Sequence, residues 1–452
     1  MAHDFSRNLS LKNEFELDSL LQQGTFKPVF LYQVILFNCL PWVALVIPKH
    51  HGGQYLRPLV FGLGVAFALE LLRNHRALLG GNGYLIGLIA AWWLVWAATL
   101  FLFSDVERDF QRIERNDPVR NLKLAEIDEL SKQIGETDNR ISMSDKVNSN
   151  QHAQFRWQSY PSTFLHRVEW CAGLLFNLRG PEWNWRASRF GPLPQTVYAQ
   201  LKSGFLSNNY SVEEDESYIS TKDCLRNAFR TFLISYMTLD ILKVVMMRDP
   251  YFRGITADAI PPFPFIFLAS IPLGIRFYRC FISCMGVYVA LNYVTSLNPI
   301  FFLGLSLAYP NASRRLTGAP LDEPWLYAES FGPFIAPTLE QGLAGTWGRW
   351  WHQLFRYGFT SPGRWVISLY PISWRKSAAV KRATYLIVAF ALSGIVHACG
   401  SYTQFTNTKP LSGPFLFFIS QSVAIIVEGV LQDRDPPNAS FTSYAAMVKT
   451  HS

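Results

Sequence analysis

The sequence predicts an all-α fold, a polytopic transmembrane helix bundle of about seven to nine spans, with interfacial helices and a polar cytosolic loop. Three observations support this prediction. Apolar residues occur in long uncharged blocks, charged residues make up only 16% of the 452 residues, and aromatic residues make up 15%. Blocks of this length match what a helix needs to cross hydrocarbon, whereas a soluble core uses shorter alternations. We therefore expect an integral membrane protein.

The hydropathy pattern divides the chain into five segments. Residues 1–28 form a polar N-terminal segment, and residues 29–103 hold the N-terminal transmembrane helices. Residues 104–226 form a polar cytosolic loop with an interfacial Trp-rich part, and residues 227–430 form a transmembrane core that carries the chemistry. Residues 431–452 form a short polar tail.

The composition also limits the partners. The formal net charge is +8, but no aromatic-studded basic domain of the kind that binds nucleic acid is present. Positive charge in a membrane protein is better suited to anionic lipids and anionic cofactors. The six cysteines are scattered, without the spacing of a metal site or a disulfide framework. We expect membrane lipids as partners, no nucleic acid and no metal.

Three spans are predicted before the polar segment. Val29–Ile47 contains no charge, Pro58–Leu72 is shorter and contains Glu70, and Tyr84–Phe103 is rich in tryptophan. Each is close to the length needed to cross a bilayer as a helix. The N-terminal third is therefore expected to be embedded in the membrane.

The chain turns polar after the third span. Glu126–Gln154 has few large apolar residues and is expected to be a mobile loop. Several cations follow the span closely, which predicts by the positive-inside rule that the loop is cytosolic. These cations are Arg108, Arg112, Arg115, Arg120 and Lys123. The charged, Trp-rich stretch Phe164–Arg189 that comes next is typical of a segment lying at the membrane interface.

The second half of the chain predicts further spans. Asn227–Met247 contains Asp240 and Lys243, which share a helix face and are expected to neutralise each other. Pro261–Tyr309 is almost continuously apolar and fits one kinked crossing or three shorter ones. Many cations in residues 310–382 favour the cytosolic side. The runs Ala383–Cys399 and Leu411–Val427 complete the set.

Two histidines in these apolar surroundings are the candidate catalytic residues. His397 lies inside a span between small residues, and His352 lies among tryptophans in TWGRWWHQLFR, residues 346–356. Ionisable side chains are costly at membrane depth and therefore mark functional sites. Acyl transfer to a hydroxyl needs a base, and neutral histidine suits that task. A histidine bonded to a neighbouring helix carbonyl is the structural alternative.

Residues around His352 are the candidate cofactor-binding group. Arg349 and Arg356 lie three and four residues from His352 and would share one face of a helix there. Guanidinium groups bind phosphate in a bidentate manner, so both arginines suit a coenzyme A donor or, equally, lipid headgroups. Trp351 and Gln353 flank His352 and are expected to join the same site.

Three motifs resemble the wax synthase-like branch of the membrane-bound O-acyltransferases. WGRWWHQLFR, residues 347–356, resembles the histidine signature of that branch, with Thr346 where Phe is usual, and His397 stands at the place of the intramembrane histidine. RGPEWNWR, residues 179–186, is similar to a landmark of the fungal members. PLDEPWLYAESFGPF, residues 320–334, resembles the lead-in to the histidine signature.

The resemblance implies an acyl-CoA-dependent O-acyltransferase of the endoplasmic reticulum, with His397 as the base and His352 as its partner. Many members of the superfamily have Asn at the place of His352. No permanently bound cofactor is implied, since acyl-CoA, here acetyl-CoA, is a cosubstrate. The acceptor implied by the fungal type is a hydrophobic hydroxylated molecule, a terpenoid or meroterpenoid secondary metabolite. A long-chain, wax-ester type of transfer is the variant within the same branch.

Two functions from other classes compete with this one. An intramembrane prenyltransferase or terpene cyclase would hold magnesium through Asp105 and Asp109 in DVERD. A transporter would line its pathway with Asp240, Lys243 and Glu428, although no internal repeat is visible. Magnesium dependence would favour the first, and solute flux without an acylated product the second.

Overall fold

A computed structural model describes residues 14–116, 154–203, 219–253, 259–405 and 408–434. In the first half the helices are α1 (Leu31–Val46), α2 (Gly53–Asn74), α3 (Leu79–Asn82), α4 (Tyr84–Ala98), α5 (Val106–Asp109), α6 (Phe164–Leu175) and α7 (Gln195–Ser203). In the second half they are α8 (Thr221–Arg248), α9 (Pro272–Asn298), α10 (Gly304–Ala308), α11 (Pro310–Leu316), α12 (Ile335–Gly345), α13 (Arg356–Ser368), α14 (Ile372–Lys376), α15 (Ala378–Tyr402) and α16 (Leu416–Arg434).

Sheet structure is confined to two short strand pairs in the described residues. Strand β1 (Lys27–Pro28) runs parallel to β2 (His75–Arg76), and β3 (Arg112–Arg115) runs antiparallel to β4 (Phe155–Gln158). The predicted helical fold class is therefore confirmed.

Five helical stretches in the described part of the chain are long and apolar enough to cross a membrane. They are Gly53–Asn74, Tyr84–Phe103, Pro272–Ala308, Ala378–Tyr402 and Leu411–Gln432. Helix α1 is apolar but shorter, and α8 is long but more polar. The protein is thus a membrane protein, while the total of about seven to nine spans stays a prediction.

The apolar run between Pro261 and Tyr309 contains one long helical stretch. Helix α9 continues through a π-helical turn at Pro299–Leu303 into α10, so Pro272–Ala308 is a single element. Proline lacks an amide hydrogen and disturbs the helical ladder, which accounts for the π turn at this position. The run thus holds one continuous helical element rather than three shorter ones, while the number of times it crosses the membrane stays a prediction.

Asp240 and Lys243 on α8 do not behave as predicted. Both side chains are exposed, and no ion pair joins them in the described part of the molecule. Their backbone positions share a helix face, but two long exposed side chains gain little from pairing and lose rotamer freedom. The predicted mutual neutralisation is therefore absent.

Parts of the segment predicted as a polar loop are folded into the protein interior. Strand β3 is buried, and the Arg112 guanidinium donates to both carboxylate oxygens of Glu169 at 2.6 and 2.8 Å. Arg115 pairs with Asp322 at 2.6 Å and Glu323 at 2.8 Å. Charged residues lower the hydropathy of this segment and so make it resemble a surface loop. Because each of these charges has a partner of opposite charge, the segment can nevertheless be buried. The predicted mobile run Glu126–Gln154 lies, except for its last residue, outside the described residues.

The Trp-rich stretch predicted at the membrane interface forms part of the core. Trp170 and Trp183 are fully buried, and their rings meet edge to face at 4.8 Å between centroids. Trp185 packs against Trp96 of α4. Tryptophan favours an interface when its ring meets both apolar and polar surroundings, but here its apolar area is used for packing. The interfacial location of α6 itself stays a prediction.

Helix α15 packs tightly against α4, and this contact places the candidate base. Helix α15 also contacts α13 and α16. At the α4 contact, a Cβ on Gly87 would lie 2.0 Å from the Cys399 carbonyl oxygen. On α15, a Cβ on Gly400 would lie 2.9 Å from the Tyr84 ring. Only glycine permits these approaches, so the two helices have a fixed separation.

Gly87→Ala is expected to destabilise the protein by about 1–3 kcal/mol, because the new methyl group forces two backbones apart. Thermal unfolding in detergent measures the effect. Gly62→Ala on α2 is the matched control, since a Cβ there meets nothing within 4 Å. Equal unfolding temperatures for both variants would contradict the close helix contact.

Candidate active site

His397 lies on α15 between two neighbouring helices. Its Nδ1 is 2.5 Å from the Tyr84 hydroxyl at the start of α4. Its ring stacks on Phe418 of α16, with centroids 4.6 Å apart and an interplanar angle of 18°. These two contacts fix the imidazole in position and rotation. Tyr84 was not predicted as a site residue, because no local sequence pattern pairs it with His397, which lies 313 positions away.

His352 lies in an irregular segment between a π-helical turn, Thr346–Trp350, and α13. Its Nδ1 is shielded from solvent and has no hydrogen-bond partner in the described part of the chain. The rings of Phe331 and Phe355 stand edge-on to it, each at 6.0 Å between centroids. A buried polar atom without a partner is costly and is a reason to look for a ligand.

The surroundings of His352 also set its charge state. Burial first, and then the neighbouring His397 and Arg179, lower the pKa of His352 to about 4. The imidazole is therefore neutral at cytosolic pH, with one N–H donor and one lone-pair nitrogen. A neutral imidazole at position 352 is suited to hydrogen bonding and proton transfer rather than to carrying a charge.

Aromatic rings connect the two histidines without interruption. Trp347 lies at the centre of this path, 5.7 Å from Trp351 and 5.9 Å from Phe418 between centroids. Trp351 adjoins His352, and Phe418 stacks on His397. Such surroundings hold little water, so electrostatic interactions between the reacting groups are less screened.

The motif at residues 179–186 lies beside the histidine signature. The Arg179 guanidinium donates to the carbonyl oxygens of Ala328 at 2.9 Å and Glu329 at 3.2 Å. Arg189 donates to the carbonyl oxygen of Phe331 at 2.9 Å. Burial, followed by the neighbouring Arg189, lowers the pKa of Arg179 to about 10, so the group stays charged at neutral pH. The motifs that carried the family resemblance therefore converge around His352.

Gln353 joins these segments through its side-chain amide. Its Oε1 accepts from the Ser188 hydroxyl at 3.1 Å and from the Arg189 backbone N–H at 3.2 Å. Its Nε2 donates to the carbonyl oxygen of Gly348. These contacts show that Gln353 holds the segment beside His352 in place. Its role in cofactor binding stays a prediction.

The predicted arginine pair does not lie on one helix. The chain leaves the π turn at Trp351, whose backbone is extended (φ −64°, ψ 149°), and α13 begins only at Arg356. Arg349 is exposed, and Arg356 contacts Ser188 Oγ and the Gly348 carbonyl oxygen, each at 3.4 Å. The expectation of a shared helix face was therefore wrong, because the bonds of Gln353 hold the segment in an irregular conformation. Binding of a cofactor by these arginines remains a prediction.

The residues proposed for a magnesium-dependent reaction have structural roles. Asp105 caps α5 by accepting from the Glu107 N–H at 3.3 Å and pairs with Lys49 at 2.9 Å. Asp109 accepts from the Asp105 N–H at 2.9 Å. No group of three potential metal ligands occurs within the described ranges. These contacts favour a helix start over a diphosphate site.

The residues considered for a transport pathway are not arranged along one. Asp240 and Lys243 are exposed on α8, whereas Glu428 of α16 accepts backbone N–H groups from Leu343 at 3.1 Å and Ala344 at 3.3 Å. The Glu428 carboxylate thus forms hydrogen bonds with the segment that leads to His352.

Comparison with known proteins agrees with the site. The model of the family described as "Membrane bound O-acyl transferase family" matches residues 327–420, which include both histidines. This match confirms the resemblance inferred from the motifs.

Fungal relatives extend the similarity. A protein named O-Mevalon transferase from Penicillium terrestre is 26% identical over 277 residues, 58% of this chain and 52% of the relative. One of the same name from Aspergillus niger is 24% identical over 275 residues, again 58% and 52%. An acetyltransferase of Rhodocybe pseudopiperita is 27% identical over 282 residues, 62% of this chain and 61% of the relative. The alignments thus span about half the length of the first two relatives. No solved structure matches the chain significantly.

Proposed function

We propose that this protein is an acyl-CoA-dependent O-acyltransferase that esterifies a hydroxyl of a hydrophobic small molecule. The observation that carries the proposal is the pair of histidines that a continuous aromatic cluster joins inside the family match, one of which has a buried nitrogen without a partner among the described residues. Acetyl-CoA is the donor that we favour, because several relatives are named acetyltransferases. The acceptor class is a terpenoid or meroterpenoid, and the location is the endoplasmic reticulum membrane.

His397 acts as the general base in this proposal. In the tautomer whose Nδ1–H donates to the Tyr84 oxygen, Nε2 keeps its lone pair and can take the proton of the acceptor hydroxyl. The hydroxyl oxygen then attacks the thioester carbonyl carbon, and the C–S bond breaks as the tetrahedral intermediate collapses. The proton held by His397 is returned to the departing thiolate, so the products are an ester and free coenzyme A.

His352 is the partner of His397 in the reaction. Because its imidazole is neutral, its single N–H can donate to the oxygen of the acceptor or to the developing oxyanion. The unpartnered Nδ1 and the aromatic surroundings suit a group that meets the substrate rather than the protein. Arg349 and Arg356 are proposed to bind the coenzyme A phosphates, with Trp351 and Gln353 beside them.

The acyl group is the main variable within this function. Two relatives are named O-Mevalon transferases and others acetyltransferases, so the group transferred differs among similar proteins. Microsomes that contain the protein are therefore supplied with labelled acetyl-CoA or palmitoyl-CoA and a panel of hydroxylated terpenoids. Ester formed from acetyl-CoA supports the proposal, ester formed only from palmitoyl-CoA favours the wax-ester variant, and no ester with any pair contradicts acyl transfer.

Tyr84→Phe is expected to lower kcat by up to about tenfold, since one hydrogen bond that orients the base is lost, with KM for both substrates nearly unchanged. Steady-state kinetics of the purified protein measure both constants. Tyr32→Phe is the matched control, because Tyr32 is exposed on α1. A kcat equal to that of the wild type would remove Tyr84 from the mechanism.

A further inference from the structure

Helix α12 breaks at Gly342, eight residues before Trp350, and the break is stabilised by a residue of another helix. Gly342 has a backbone conformation with φ +57° and ψ −138°, which interrupts α12. The residues after it, Leu343 and Ala344, begin a new helical turn, and their N–H groups have no helical acceptor ahead of them. An unpaired N–H in an apolar environment is costly, so such a break needs an acceptor from elsewhere.

Glu428 supplies that acceptor. Its Oε1 accepts from the Leu343 N–H at 3.1 Å, and its Oε2 accepts from the Ala344 N–H at 3.3 Å. A carboxylate at the start of a helical turn also interacts favourably with the positive end of the local dipole. The carboxylate lies so close that a Cβ on Gly342 would be 1.8 Å from Oε1. Only glycine at position 342 therefore leaves room for the Glu428 carboxylate at the start of this turn.

The same face of α16 reaches both halves of the histidine site. Phe418, Gln421 and Glu428 are spaced so that they share one helix face. Phe418 stacks on His397, and Gln421 accepts from the Trp347 indole N–H at 3.2 Å. Thr346, between the break and the signature, donates to the Gly342 carbonyl oxygen at 2.9 Å. One rigid helix thus contacts the base directly and the His352-bearing segment at two points.

We propose that Glu428 is a positioning residue that fixes the turn leading to His352 relative to His397. This inference rests on the proposed acyltransferase function and adds to it the element that aligns its two histidines. Loss of the carboxylate leaves two N–H groups unpaired, so the turn shifts or frays and His352 leaves its working position. Because the Glu428 carboxylate bonds to backbone groups of the turn, the effect is expected on turnover rather than on donor affinity.

The test combines kinetics with hydrogen–deuterium exchange on the full-length protein in detergent. Glu428→Ala is expected to lower kcat about tenfold, leave KM for acetyl-CoA within about twofold and speed exchange at Leu343 and Ala344, because a charge-assisted interaction is lost. Glu428→Gln keeps one acceptor oxygen and is expected to fall between Glu428→Ala and the wild type. Val427→Ala is the matched control, since Val427 is exposed on the same helix. Activities are normalised to the folded fraction.

A second variant disrupts the same contact by changing Gly342 instead of Glu428. Gly342→Ala places a methyl group against the Glu428 carboxylate and strains the positive φ, so it should reproduce the kinetic and exchange changes of Glu428→Ala. Unchanged exchange in both variants would overturn the inference, as would faster exchange with unchanged kcat. Absence of ester from the wild type with every substrate pair would overturn the proposed function, while the exchange result would still decide whether Glu428 holds the turn.

Discussion

His397→Ala is expected to abolish ester formation, with a fall in kcat of roughly 100- to 10,000-fold, the contribution that a positioned general base makes. In the proposed mechanism the imidazole of His397 takes the hydroxyl proton, and alanine leaves no proton acceptor at this place in α15. The Tyr84 hydroxyl loses its partner as well. Steady-state assays with labelled acetyl-CoA and an accepted terpenoid measure the loss.

Ile395→Ala is the matched control for His397→Ala. Ile395 lies two residues away on the same helix and is 45% exposed, so its replacement changes the outer surface and not the site. Fluorescence-detected gel filtration shows whether both variants fold. Wild-type turnover by folded His397→Ala protein would exclude His397 as the base.

His352→Ala is expected to lower kcat about 100-fold or more, as loss of a positioned donor at the reacting oxygen does. His352→Asn is expected to retain a larger part of the activity. A neutral imidazole and a carboxamide both present an N–H donor and an acceptor in a similar volume. The comparison of the two variants therefore separates hydrogen bonding from proton transfer at this position.

The pH dependence provides the check on His352. Since burial lowers the pKa of His352 to about 4, its protonated form is present only in acid and is lost as the pH rises through about 4. Wild type and His352→Asn should then show the same pH profile of kcat/KM between pH 6 and 8. A wild-type profile with an additional ionisation in that range, absent from His352→Asn, would show that His352 titrates there and contradict a neutral partner.

Residues outside the family match also contact the two histidines and the segments beside them. The matched residues 327–420 contain both histidines, but Tyr84, Arg179 and Glu428 lie outside this range. Tyr84 bonds directly to His397, Arg179 holds the carbonyls of the lead-in segment, and Glu428 holds the turn. The two candidate catalytic histidines are thus oriented by residues from outside the family match.

The helical membrane fold, the five long apolar stretches and the two candidate histidines were predictable from the sequence alone. Span prediction works from sequence because the cost of placing polar groups in hydrocarbon is local and sums over about 20 consecutive residues. A histidine inside such a run is conspicuous for the same reason. The motifs, which are also local, indicated the reaction class.

The side chains that orient the two histidines could be identified from the folded structure but not from the sequence. The hydroxyl of Tyr84 and the carboxylate of Glu428 gain their roles from helices that meet across the bundle, and neither contact leaves a local pattern. The buried pairing of Arg112 with Glu169 likewise made part of the core look like a solvated loop. A hydropathy profile sums the transfer free energies of single residues along the chain. Whether a charge can be buried depends instead on its partner, and that partner is brought to it only by the fold.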